Sequence, residues 1–77
     1  MEKSNEFSTA DLYYAAFLKA AAVPFIRTDR DGRRVFFVFE ESDMIRNLQK
    51  QYYNRTAKVS ALTYADEIRT MKSLTHI

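Results

Sequence analysis

Five consecutive apolar residues, Val35-Phe36-Phe37-Val38-Phe39, constrain this chain more than any other stretch. In extended form, successive side chains leave opposite faces of a sheet. Val35, Phe37 and Phe39 then share one face, and Phe36 and Val38 the other. Neither face can stand bare in water without a large exposed apolar patch. The run forms the second half of a hairpin from Pro24 to Glu40, with Asp31-Gly32 at the turn. Gly32 is the only glycine in the chain, and Asp-Gly supplies the positive φ that a type I′ turn demands. A two-residue loop pairs Arg30 with Arg33, Asp29 with Arg34 and Ile26 with Phe37. A three-residue loop, Arg30-Asp31-Gly32, slips that pairing by one. On the first strand Ile26 takes one face, and Phe25 and Arg27 the other.

The need for cover is sharpened by length. Seventy-seven residues make one domain, which at this size buries only about 60% of the surface its unfolded chain exposes. The chain has no cysteine, which removes disulfides, zinc–thiolate sites and thiol nucleophiles, and indicates a reducing compartment, the cytoplasm. Oligomerisation is the remaining common way to bury more surface. No apolar run approaches the roughly 20 residues of a membrane span. The polar, acidic start does not read as a signal peptide.

Residues 1–6 are expected to form a disordered tail, with one domain over 7–77. Ser8 reads as the N-cap of a first helix reaching about Ala22, with Asp11 three residues on and Phe7 set against Leu12 as a staple. Val23, preceding Pro24, is pushed into extended geometry, so the hairpin follows. Ser42 caps a second helix with Met44, Ile45, Leu48 and Tyr52 on its inner stripe, and Asn54 is a left-handed terminator. Ala57 to Val59 alternates in the manner of a short third strand. A last helix starts at Ser60 or at Thr63. The fold class is α+β, in the order α-β-β-α-β-α, with a small antiparallel sheet packed by three helices. Those helices divide between the two sheet faces, or one face meets a second subunit as a homodimer. Phe36, Val38 and Phe25 are the candidate interface residues.

Several stretches together resemble a family of short bacterial proteins known only as a domain of unknown function. They are Ser8 to Leu18 (STADLYYAAFL), Asp31 to Phe39 (DGRRVFFVF), Gln51 to Asn54 (QYYN) and Ile68 to Leu74 (IRTMKSL). The resemblance runs from about Phe7 to Leu74. It implies an intact stand-alone domain and carries no catalytic residue, ligand or partner.

No set of residues for catalysis can be assembled. His76, the sole histidine, reads as a solvated side chain near a fraying end. Glu40, Glu41 and Asp43 read as caps and helix-dipole partners rather than as an acid–base or magnesium pair. No phosphate loop or metal-ligand spacing occurs, so neither cofactor nor metal is expected. Binding is what remains. The aromatic content of 14%, all Phe and Tyr, favours a non-enzymatic protein-interaction module, homodimeric or with another protein partner. The alternative is nucleic-acid binding through two basic clusters. One is Arg46, Lys50, Tyr53, Arg55 and Lys58; the other is Arg27, Arg30, Arg33 and Arg34 on the hairpin. A net charge of +2 is low for a dedicated nucleic-acid binder.

Overall fold

The computed structural model describes residues 5–54 and 58–75. In chain order the elements are β1 (Glu6–Thr9), α1 (Leu12–Ala20), β2 (Phe25–Asp31), β3 (Arg34–Glu40), α2 (Asp43–Tyr53) and α3 (Ala61–Thr75). The class is α+β, with three helices and one three-stranded antiparallel sheet. The order is β-α-β-β-α-α rather than the one expected. The third strand is β1, not Ala57 to Val59. Lys58 and Val59 belong to no strand, and Ala57 lies outside the described residues.

The aromatic run supplies the central strand, in the order β1-β3-β2. Phe7 lies opposite Phe39 and Thr9 opposite Phe37, so Phe7 and Thr9 reach the same face as Phe37 and Phe39. The period-2 pattern of Glu6-Phe7-Ser8-Thr9, polar outward and larger inward, is therefore strand logic. The helix starts later than expected for that reason. Ser8 is in β1, and Asp11 is the N-cap: its Oδ1 accepts from the Tyr13 and Tyr14 amides at 3.0 and 3.1 Å. The ordered chain reaches into the segment expected as a tail, since β1 includes Glu6 and the Glu41 amide donates to the Asn5 carbonyl at 3.0 Å.

The turn also differs. Asp31 pairs with Arg34 and Arg30 with Val35, which leaves Gly32-Arg33 as the two-residue loop. Gly32 has φ of +63° and Arg33 is not in the positive region. That is the pattern of a type II′ turn, with glycine first, rather than type I′ over Asp31-Gly32. Neither register expected from the sequence holds. A bulge at Ile26 shifts the pairing between Phe25 and Arg27. It places Phe25 opposite Phe39 and Arg27 opposite Val38, so Phe25 and Arg27 lie on different faces.

α1 ends at Ala21 in a Schellman motif. The Val23 amide donates to the Leu18 carbonyl and the Ala22 amide to that of Lys19, both at 3.0 Å. Ala22 takes φ of 68° to allow it. Ahead of α3, Ser60 Oγ accepts from the Thr63 amide at 3.3 Å, so the Ser60 start holds for that helix. Asn54 closes α2 with φ of −87°; it is not left-handed.

One core serves the molecule. Tyr14, Ala15, Ala16, Phe17 and Leu18 of α1 meet Phe37 and Phe39 of β3, Ile45 of α2 and Met71 of α3. The fully buried Ala15 and Ala16 keep side chains short where α1 lies deepest, which permits close backbone approach. All three helices thus contribute to the single layer over the Phe37–Phe39 face. A thickness of 17 Å suits one helix layer on one sheet. The helices do not divide between faces.

The opposite face is closed by charged side chains. Val38 is 2% exposed although it lies outside the core cluster. Arg27 stands beside it on β2 and sends its guanidinium across β3 to Glu6 on β1, donating at 3.0 and 2.9 Å. It also binds Asp29 at 2.8 Å. The arginine stem lies over apolar surface while its head stays wet. Next along β3, the Arg34 guanidinium carbon sits 5.2 Å from the centre of the Phe36 ring, in cation–π range.

Candidate functional site

The five tyrosines of the chain, spread from position 13 to position 64, come together at one place. Tyr13 and Tyr14 are in the first turn of α1, Tyr52 and Tyr53 in the last turn of α2, and Tyr64 in the first turns of α3. Tyr14 and Tyr52 have ring centres 4.9 Å apart, Tyr14 and Tyr53 6.4 Å, and Tyr52 and Tyr53 5.7 Å. Phe7 meets the Tyr14 edge at 6.1 Å and Phe17 meets Tyr52 at 5.2 Å. The Tyr64 hydroxyl donates to the Tyr13 carbonyl at 3.2 Å and tethers α3 to α1. A Lys19–Glu67 ion pair at 3.5 Å adds a second tie.

The cluster is graded from dry to wet. Tyr14 is buried, Tyr52 and Tyr64 are half-buried, and Tyr13 and Tyr53 are 51% and 69% exposed. Leu62, two residues before Tyr64, is 73% exposed. Burial pushes the Tyr14 phenol up to about 12, helped by Tyr53 and Tyr52 nearby. Tyr52 is raised by burial and then by the Asp11 carboxylate, and Tyr64 by burial and then by Tyr52 and Asp11. All three shifts favour the neutral phenol, so near pH 7 these groups are neutral hydroxyls and not phenolate bases or nucleophiles.

The basic residues do not form one surface. Arg30, Arg33 and Arg34 stand around an open groove of about 420 Å³ floored by Leu12, Val35 and Phe37. One Arg30 N–H reaches the Thr75 carbonyl at the end of α3, at a long 3.4 Å. Arg46, Lys50 and Tyr53 line a different hollow of about 450 Å³ on α2, and the two share no lining residue. Arg27 belongs to neither: its bond to Glu6 holds the guanidinium charged more firmly, and the same bond holds the Glu6 carboxyl below its ordinary value. Arg46 is paired with Asp43 at 3.1 Å and approaches Glu41 at 4.0 Å. Lys58 is exposed, and Arg55 lies outside the described residues.

The candidate interface residues are dispersed as well. Phe25 packs edge-on to Phe39 at 5.3 Å in the core layer. Val38 is sealed beneath Arg27, and Phe36 is half-buried beside Arg34. They form no continuous apolar face, because the Ile26 bulge turned Phe25 inward. The sequence alone does not reveal the tyrosine cluster, because pairs at 13/14 and 52/53 show adjacency along one helix but not contact between helices. Among the described residues no group of three or more His, Cys, Asp or Glu could hold a metal ion.

Fold and site together define a small two-layer α+β domain with an exposed aromatic surface and a separate basic groove. The chain belongs to the family called domain of unknown function DUF5659, whose model matches residues 4–76. No curated protein and no solved structure matches it. Among the described residues no helix is long and apolar enough to cross a membrane.

Proposed function

We propose that the protein is a small non-enzymatic protein-interaction module whose contact surface is the tyrosine cluster. One observation carries the reading: all five tyrosines converge from three helices, and the rim pair Tyr13 and Tyr53 is left largely in water. Tyrosine provides a large, stiff contact area with a hydroxyl that pairs across an interface, and the buried ring beneath pre-orders the exposed ones. The raised phenol values argue against acid–base work there. A partner protein, whether a second copy or another chain, is the expected ligand. The outer sheet face is a poor candidate for self-association, since charges already cover Val38.

The test compares wild type with Tyr13→Ser and Tyr53→Ser. Light scattering from micromolar to submillimolar concentration reports self-association, and cross-linked affinity capture reports other partners. Wild type should associate or retain proteins that both variants lose. Identical behaviour of all three proteins in both assays would sink the reading.

The alternative is nucleic-acid binding on α2, where exposed Tyr53 stands with Arg46 and Lys50 around one hollow. Stacking on Tyr53 with phosphate contacts from the cations is the chemistry it would use. It requires affinity for single-stranded oligonucleotides that falls steeply with salt and is lost in Lys50→Gln. The ion pairs already holding Arg46 count against it.

A further inference from the structure

The groove at the hairpin tip is separate from the tyrosine cluster and has its own chemistry. Arg30, Arg33 and Arg34 are among the described residues that line it and no Asp or Glu is, while its floor is Leu12, Val35 and Phe37; the Arg34 guanidinium itself turns to the Phe36 ring. It is open and as large as a small-molecule pocket. Arg33 makes no hydrogen bond or ion pair with any described residue, and Arg30 gives up only one long bond. Uncommitted arginine forks beside apolar surface match a carboxylate held next to an aliphatic side chain, because guanidinium and carboxylate pair through two parallel hydrogen bonds.

We infer that this groove docks an acidic segment of a partner protein, one that places glutamate or aspartate side chains on Arg30 and Arg33 and an aliphatic anchor on the Leu12–Val35 floor. Charge complementarity selects the acidic side. The floor selects a peptide over a nucleic acid: among the described residues that line it the one aromatic ring, Phe37, is 1% exposed and cannot stack on a base. The proposal stands independently of the tyrosine surface.

The experiment titrates the isotopically labelled full chain with a short blocked peptide of alternating glutamate and leucine. Three further probes run beside it: a glutamine–leucine peptide, a glutamate–glycine peptide and a single-stranded oligonucleotide. The expected result is binding of the first alone, with amide shifts centred on Leu12, Val35 and Arg33. Arg33→Glu should weaken it by about tenfold or more, the scale of one charge-assisted pair, with an otherwise unchanged spectrum. Arg30→Gln serves as a second variant in case the turn tolerates Arg33→Glu poorly. Equal binding of the glutamine–leucine peptide, preference for the oligonucleotide, shifts confined to α2, or no binding at all would each overturn the inference. The readout here is Leu12, Val35 and Arg33, and that of the interaction module is Tyr13→Ser and Tyr53→Ser, so failure here is distinguishable from failure of the interaction module.

Discussion

Arg27 and Glu6 join the two edge strands across the outer side of β3 by a pair of hydrogen bonds at 3.0 and 2.9 Å. Between them lies Val38, flanked in register by Arg27 and Ser8. A five-residue apolar run therefore finds shelter on both sides in one molecule, through helices on one face and a charged lattice on the other. The sheet needs no second subunit to hide it.

That arrangement orders the effects of substitution. Arg27→Ala should destabilise more than Arg27→Met, which keeps an apolar stem over Val38, and Glu6→Gln should cost least, since exposed ion pairs add little. Val38→Asp should leave no folded monomer, as it buries an unpaired charge. Urea unfolding ranks the set, and equal losses for Arg27→Ala and Arg27→Met would show that the stem covers nothing. The sign of the pH effect follows from Glu6. Its carboxyl is held below the ordinary 4.5 when folded, so its contribution is complete above 4.5 and is lost as pH falls through the lower folded value.

The end of α1 carries strain that a single substitution can remove. Ala22 sits at φ of 68°, where an L side chain costs roughly 1 kcal/mol or more and glycine nearly nothing. Ala22→Gly should stabilise by about 0.5–1 kcal/mol after the added freedom of the unfolded chain is subtracted. For a domain of this size that raises Tm by several degrees, on the order of 4–8 °C per kcal/mol. A lower Tm would mean that the alanine side chain contributes packing which outweighs the strain.

The sequence was informative where local chemistry is decisive and poor where partners are distant. The apolar run, the helix start at Ser42, whose side chain nevertheless makes no capping bond, the start at Ser60 and the inward pair Ile45 and Leu48 are all visible as patterns. Ser8 and Asp11 were visible too, but two rules competed for them. Helix capping could take Ser8, and strand alternation could take Glu6 to Thr9; the unfilled edge of β3 decided for the strand. Gly32 marked the turn, yet one glycine satisfies more than one loop frame, and the Ile26 bulge has no signature of its own. Site residues fared worse because a groove between β3, α1 and α3 depends on tertiary placement. The hairpin arginines were identified, but not that Arg27 would be consumed by Glu6 while Arg33 stayed uncommitted.

Tyr14 carries a polar atom that the fold does not use. Its ring is buried among Phe7, Phe17 and Tyr52, and its hydroxyl is buried with no hydrogen-bond partner among the described residues. An unsatisfied buried hydroxyl costs about 1–3 kcal/mol, and phenylalanine keeps the ring contacts. Tyr14→Phe should therefore be neutral or stabilising by up to that amount in urea unfolding. Tyr52→Phe, which removes a hydroxyl lying beside Tyr64, serves as the control and should gain less. Destabilisation by Tyr14→Phe would mean that the hydroxyl is bonded in solution.

Alkaline titration examines the same cluster from the side of charge. Tyr14 is pushed up to about 12 from an ordinary value of 10, chiefly by burial, and Tyr52 and Tyr64 shift in the same direction. A phenol with a raised folded value contributes stability that is fully present below pH 10 and is lost as pH rises from about 10 to 12. Near-ultraviolet difference absorbance should show late ionisation of part of the tyrosine signal, coincident with loss of helical circular dichroism. Tyr14→Phe should remove the latest step and move alkaline unfolding to higher pH, because the group forced to ionise inside the core is gone. A single ionisation step near 10 with the helices intact would contradict the burial of the cluster, and with it the pre-ordered platform on which Tyr13 and Tyr53 are held out to solvent.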